Sequence, residues 1–424
     1  MNATDGRQSF IILGASTRAA AFSALRAGLQ PTCADLFADL DLADRCDVSQ
    51  IAGTEYPDGL ELAALSAAPG PWAYVGALEN HPELVERIAR RRPLLGNGPK
   101  VLRRARDPFE IAAFLTRVGL PCPRVQRLGE RPAPDERWLV KPCAGAGGRG
   151  VREYQVLQDV RQYSVLRTQD SESDACVSAP HSHYLQQRID GPSCAATFVA
   201  DGKRAMLLGL TRQLVGEPEL HAKPFHYCGS IGPLPIDGRM QENLAQLGHV
   251  LAAEFGLLGL FGVDGILADG EFWPVEINPR YTASVEVLEL ALGVATMTLH
   301  RDACTRGAIP AESAAIGRRL STEKGNMLGK AILFSSESIE VRDLSGYLRD
   351  PLDCTSRWPV PRIADVPRAG EQFAAGQPIC TVFARGHSVD ACRAALIGAA
   401  RRLYGRLTSE AACSRIAPCQ KHLF

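Results

Sequence analysis

The chain has 424 residues, enough for two to four domains with a sizeable core. Lys+Arg and Asp+Glu balance at 47 each, so no net field selects a nucleic acid or an anionic membrane. The 13 cysteines form an odd set with no C-x-x-C pair, and the start shows no signal-peptide pattern; this points to reduced thiols in a cytoplasm and argues against a disulfide framework. The longest apolar run near the middle, Phe255–Val263, is too short to span a bilayer.

Ser9–Ser16 reads as a buried strand, followed by a helix from about Thr17 to Ala27 that Gly28 ends, and a second strand at about Thr32–Asp35. This is a β-α-β start of Rossmann type. Gly14 and Asp35 have dinucleotide-site spacing, but the loop G-A-S-T-R-A lacks G-x-G-x-x-G, so a purely structural role is favoured. Tyr74-Val75-Gly76 reads as a later strand end and Pro82–Arg92 as a helix. Asn97-Gly98-Pro99-Lys100 breaks both neighbours and marks a boundary. After it, Asp107 can cap a helix with Pro108 at N1 and Glu110 at N3 closing a capping box; Ile111, Phe114, Leu115 and Val118 form its apolar face, and Gly119 ends it.

Trp138–Val151 (WLVKPCAGAGGRGV) carries Lys141 to a strand end and runs into a loop with Gly145, Gly147, Gly148 and Gly150. Such a loop can bring several backbone N–H groups onto a phosphate while the Lys supplies a point charge. No Gly-Lys-Ser/Thr ends it, so it is not a Walker A loop. Glu153–Val177 is polar and reads as a lid helix and loop. Ala195–Ala200 and Ala205–Leu210 form a hairpin around Asp201-Gly202. Arg212 and the basic loop Lys223–Gly229 are candidates for a γ-phosphate or a carboxylate substrate. The helix at about Gly238–Phe255 has a core stripe of Met240, Leu244, Leu247 and Leu251.

The stretch Val263–Arg280 holds a second hairpin, Gly262–Ala268 and Phe272–Ile277, turned by Asp269-Gly270. Glu276 and Asn278 project from one face and Asp264 can fall near them across the ribbon. Two carboxylates and an amide oxygen make a hard oxygen cluster suited to Mg²⁺ with nucleotide phosphates completing the shell. Arg280 lies just past the strand, placed to meet a phosphate or carboxylate. A helix from about Glu286 to Leu299 follows, its first-turn Glu serving most simply as a helix-dipole partner.

From about Thr322 the composition changes. Asn326–Phe334 is a strand pattern carrying Lys330; Pro351, Pro359, Pro361 and Pro367 punctuate the next stretch. Asp365–Ala384 alternates turns and strands, and Ser388–Leu407 is an amphipathic helix.

A strand-Lys-Pro, a glycine-rich loop and, about 120 residues on, a carboxylate hairpin ending E-I-N-P-R resemble the ATP-grasp superfamily, in its biotin-carboxylase-like and carbamoyl-phosphate-synthase-like branch. The resemblance implies an α/β fold, α+β in the ATP-grasp part: a Rossmann-like preATP-grasp domain at 1–98, a two-subdomain ATP-grasp domain at 99–321 (99–183 and 184–321), and a small β-rich C-terminal domain at 322–424. It implies Lys100, Lys141 and the lid Gly145, Gly147, Gly148 and Gly150 for phosphates, with Asp264, Glu276 and Asn278 for Mg²⁺ or Mn²⁺. Tyr184–Ser193 resembles the adenine hinge, with Gln186, Gln187, Arg188 and Ile189 supplying it and Gln187 in place of the family's Glu. Lys141, Arg280 and Arg212 are the expected catalytic cations.

The implied activity is an ATP-dependent, ADP-forming ligase that joins a carboxylate to an amine through an acyl phosphate, as in amide ligases of cofactor biosynthesis. A bicarbonate-activating or carbamoyl-type ligase, a non-catalytic ATP-binding module and a Rossmann oxidoreductase are the alternatives. Partners are expected to be small molecules, with no nucleic acid and no membrane; a homodimer is a compatible assembly.

Overall fold

The computed structural model describes residues 8–130, 132–133, 136–155, 182–309, 327–354 and 357–407. Most of the lid expected at Glu153–Val177 and the start of the C-terminal part near Thr322 lie outside them.

The N-terminal part is a four-stranded parallel sheet. Its central strand Ser9–Leu13 lies between Gln30–Asp35 and Trp72–Tyr74, with Asp47–Gln50 at the edge. The Arg18–Arg26 helix makes the expected crossover. Asp35 is fully buried and accepts four hydrogen bonds: from the Thr17 amide (2.9 Å) and hydroxyl (2.8 Å), and from the Phe37 (3.1 Å) and Ala38 (2.8 Å) amides. Its oxygens are thus committed to closing the loop, which leaves none for a ribose and supports the structural reading.

Two further sheets face each other across the cleft described below. One has four strands in the order Val125–Arg127, His183–Gln187, Trp138–Pro142, Arg152–Glu153. The other has eight, and runs Glu271–Asn278, Leu258–Ala268, Ser193–Asp201, Ala205–Val215, Tyr227–Gly232, Met327–Phe334, Pro378–Gly386, Ile363–Ala364. Residues from the C-terminal part therefore continue the central sheet: Met327–Phe334 pairs antiparallel with Tyr227–Gly232. The tail of the basic loop expected at Lys223–Gly229 is already in that strand.

Helix ends follow the local chemistry. Asp107 accepts from the Phe109 (2.8 Å) and Glu110 (3.2 Å) amides and Pro108 opens the helix Pro108–Arg117. The capping box is only half made, because the Glu110 carboxylate turns to Arg104 (2.5 Å). Asp237 caps Gly238–Phe255 through the Met240 amide (2.7 Å), and Gly256 ends it at φ +68°. The single helix expected after E-I-N-P-R is two, Ala283–Leu292 and Thr296–Arg306, because Gly293 takes φ +65° and stops the first. Glu286 is not a dipole partner at a free end. It is buried inside the first helix and bonded to Arg18 and Lys330. Among the described residues no single helix is long and apolar enough to cross a membrane.

His300 joins the second of these helices to the sheet. Its Nδ1 accepts from the Leu260 amide (2.8 Å), so Nε2–H donates to the Leu95 carbonyl (3.1 Å). Burial holds its pKa down at about 4, against a weaker upward pull from the Leu95 carbonyl. An unfolded imidazole takes its proton near pH 6.5. Stability is therefore full above that pH and is lost as the pH falls toward 4, by about 3 kcal/mol from this group. Urea titrations at stepped pH should show the loss in the wild type and a smaller one in His300→Gln.

Candidate functional site

The second hairpin has the predicted geometry. Asp269 (φ +52°) and Gly270 (φ +75°) form the turn, and Asp264 lies directly opposite Glu276, with Gly262 opposite Asn278. The strand alternation that puts Glu276 and Asn278 on one face aims both into an open cleft of about 1140 Å³ between the two larger sheets. The same cleft is lined by Lys141, Gly147, Gly148, Gln186, Gln187, Ile189, Asp264 and Arg280.

The acidic end is tightly wired. Asp264 accepts from the Gln213 amide on Oδ1 (2.9 Å) and the Asn278 amide on Oδ2 (2.9 Å). Burial, reinforced by the Glu276 charge, pushes its pKa up to about 7. Burial also acts upward on Glu276, but Arg106 and Lys141 outweigh it and hold that carboxyl below its usual range. The two carboxylates thus share one patch of cationic compensation from Arg106, Lys141 and Arg280. Two carboxylates plus an amide oxygen are a hard donor set for Mg²⁺, so the residues fit the ion.

Lys141 donates to Gln186 Oε1 (3.0 Å). Burial opposes its charge, yet the Tyr184 hydroxyl and Glu276 keep its pKa raised, so it stays an ammonium. The hinge strand is fixed by the Gln187 amide on the Arg124 carbonyl (2.8 Å) and the Arg188 amide on Arg137 (2.7 Å). The Gln187 side chain bridges Arg124 and Glu136, while Arg188 turns outward to Glu153 and Asp190 and does not line the cleft. Gly147, Gly148 and Gly150 all sit at positive φ. A Cβ on Gly148 would come 1.9 Å from the Phe225 carbonyl oxygen, so only glycine lets the loop lie against residues 225–227. The Gly147 carbonyl accepts from the Tyr227 amide there (3.0 Å).

Three expectations need correction. Arg212 does not line the cleft; period-two alternation turns it away and presents its neighbour Gln213, the donor to Asp264. Lys100 is exposed on the helix Pro99–Ala105 and is not among the cleft residues. Arg280 lines the cleft but does not stand free: it pairs with buried Glu79 (2.6 Å) and donates to Asn278 Oδ1 (3.1 Å), leaving Nε without a partner. Gln213→Ala is expected to weaken divalent-ion affinity by about 10-fold or more, as loss of an outer-shell partner does, with Arg212→Ala near wild type; isothermal titration with Mg²⁺ and nucleotide checks both.

Arg106 was missed. It sits just past the end of the Pro99–Ala105 helix, in the basic run R-R-A-R. In the fold its guanidinium bonds Glu276, the Asn80 side chain (3.2 Å) and the Gly145 carbonyl (3.0 Å). It therefore ties the Glu276 carboxylate to the glycine loop. Only its place directly before the Asp107-Pro108 helix start hinted at a fixed position.

Comparison with known proteins agrees with this geometry. Residues 105–284 match the family model described as an ATP-grasp domain. The carbamoyl phosphate synthase large chain of Deinococcus radiodurans is 26% identical over 212 residues, 47% of this chain and 19% of that one. The chain thus spans about a fifth of the length of that relative. Among solved structures, biotin carboxylase from Campylobacter jejuni superposes with a TM-score of 0.68 at 15% identity, covering 91% of this chain and 89% of that one. L-amino acid ligase from Bacillus licheniformis gives 0.61 at 16%, covering 96% and 99%. The chain carries an ATP-grasp domain, homologous to that of carbamoyl phosphate synthase large chains, within a mixed α/β fold like that of biotin carboxylase.

Proposed function

We propose that this chain is an ATP- and Mg²⁺-dependent, ADP-forming ligase that activates a carboxylate as an acyl phosphate and joins it to an amine. One observation carries the reading: the Lys141 strand, the glycine loop and the Asp264/Glu276 ribbon line a single cleft. Phosphoryl transfer needs positioning and charge neutralisation more than covalent help, and those are the parts the cleft supplies. Asp264, Glu276 and Asn278 would hold a divalent ion, which when bound neutralises phosphate charge. The glycine-loop amides and Lys141 would hold the phosphate chain, with the ammonium balancing charge that develops on transfer. Ile189 and the backbone of the Gln186–Ile189 hinge would receive the adenine. Arg280, which lines the cleft with its rotamer fixed by Glu79, would orient the carboxylate.

ADP release over a panel of carboxylate–amine pairs, with bicarbonate as one arm, tests this. ADP formed only when both an acid and an amine are present supports the ligase; release with bicarbonate alone favours a carboxylating or carbamoyl-type reaction. No substrate-dependent ADP from any arm overturns the proposal in favour of a binding module.

A further inference from the structure

A second recess, with an open volume of about 1520 Å³, is lined by Glu286 and Leu290 of the helix Ala283–Leu292 and shares no lining residue with the cleft. The N-terminal helix Arg18–Arg26 and residues from 41–45, 347–351 and 358–363 complete its walls. The charged groups of its floor are all hydrogen-bonded to one another or to backbone amides. Arg18 is bonded to Glu286 and Asp365, Lys330 to Glu286 (2.9 Å), and the Asp41 oxygens accept the Asp365 and Val366 amides (3.0 Å each). Phe22, Tyr347 and Trp358 line the recess too, with Arg18 over the Phe22 ring (5.6 Å) and Arg357 over the Trp358 ring (4.9 Å).

The uncommitted charge is at the rim. Arg45 lies over the Phe22 ring (5.9 Å), and neither it nor Arg349 makes an ion pair among the described residues. Arg26 pairs with Glu289 through Nη2 (3.0 Å) and covers the Trp358 ring (5.6 Å), yet its Nε meets no acceptor. Of the lining carboxylates Asp350 is taken by Arg362 (2.9 Å), which leaves Asp44 alone against two exposed guanidiniums and a buried N–H. Guanidinium forks match carboxylate or phosphate oxygens, and flat rings stack on aromatic and guanidinium faces.

We propose that this recess is a second small-molecule site for a flat organic anion, its acid group at Arg45 and Arg349 and its ring against Phe22 and Trp358. It is separate from the nucleotide cleft and does not depend on the ligase reading. An aromatic carboxylate and a nucleoside monophosphate share that chemistry, so both are probed.

Isothermal titration of the full chain with 2-naphthoate and with AMP tests it, in wild type, in Arg45→Glu/Arg349→Glu and in Glu276→Gln. The rim variants change only exposed side chains, so the fold is expected to persist, as far-UV circular dichroism would verify. One probe should bind per recess, at least about tenfold more weakly in the rim variant and unchanged in Glu276→Gln. An AMP response that the rim variant loses identifies a nucleotide ligand for the recess, and a 2-naphthoate response that it loses identifies an aromatic acid. If neither probe binds the wild type, or if binding is equal in wild type and rim variant, the proposal is overturned. Trp358→Leu gives an independent arm: it should weaken binding without changing the rim charge, and full retention would remove the stacking wall.

Discussion

Glu276→Gln is expected to lower Mg²⁺-dependent ATP turnover by about 10³-fold, equivalent to about 4 kcal/mol of lost charge stabilisation at the metal, while leaving the unfolding midpoint near that of wild type. The two readouts separate because Glu276 has two tasks. Its charge faces the cleft, and its oxygen receives the Arg106 guanidinium. Glutamine keeps an oxygen for Arg106 and loses the charge. Alanine would remove both, and would leave a guanidinium that is only 10% exposed without its anion. Loss of activity in Glu276→Ala would therefore mix two causes, and the glutamine variant is the cleaner test. Wild-type turnover in Glu276→Gln would remove this residue from the metal set.

Arg106→Met should cost about 1–3 kcal/mol of stability, the range for leaving polar groups unpaired, because the Glu276 carboxylate it strands is one-third exposed (33%) to the cleft. Methionine fills the space, so the penalty comes from what is left behind: the Glu276 carboxylate and the Gly145 carbonyl lose a shared donor. The cost should shrink when Arg106→Met is combined with Glu276→Gln, because the stranded charge is then gone. Urea midpoints of the two single variants and the double form the cycle. Simple additivity would mean that the two residues do not act as a pair.

The hairpin, the helix start at Asp107 and the Lys141 strand were legible because each rests on short-range rules. Asp-Gly demands a particular turn, Asp before a helix finds amides two and three residues on, and alternation fixes a strand's faces. Arg212 failed by the same alternation: with no way to know which face of Ala205–Val215 met the cleft, the charged residue was preferred to Gln213, and the structure selects the amide. Arg106, Glu79 and Glu286 were illegible for another reason. Their partners are Glu276, Arg280 and the Arg18/Lys330 pair, between 44 and 268 residues away, and no local pattern encodes such a meeting. Glu286 in particular reads as surface charge in a first helical turn, yet it joins three parts of the chain.

The eight-stranded sheet has a consequence for how the chain can be divided. Met327–Phe334 is zipped to Tyr227–Gly232, which follows directly on the segment that the glycine loop rests against. Cutting the chain before residue 327 would bare the backbone donors and acceptors of Tyr227–Gly232 and turn an interior strand into a sticky margin. A fragment ending with the ATP-grasp match at residue 284 would thus inherit the cleft with one wall unsupported and be prone to pairing with its own copies.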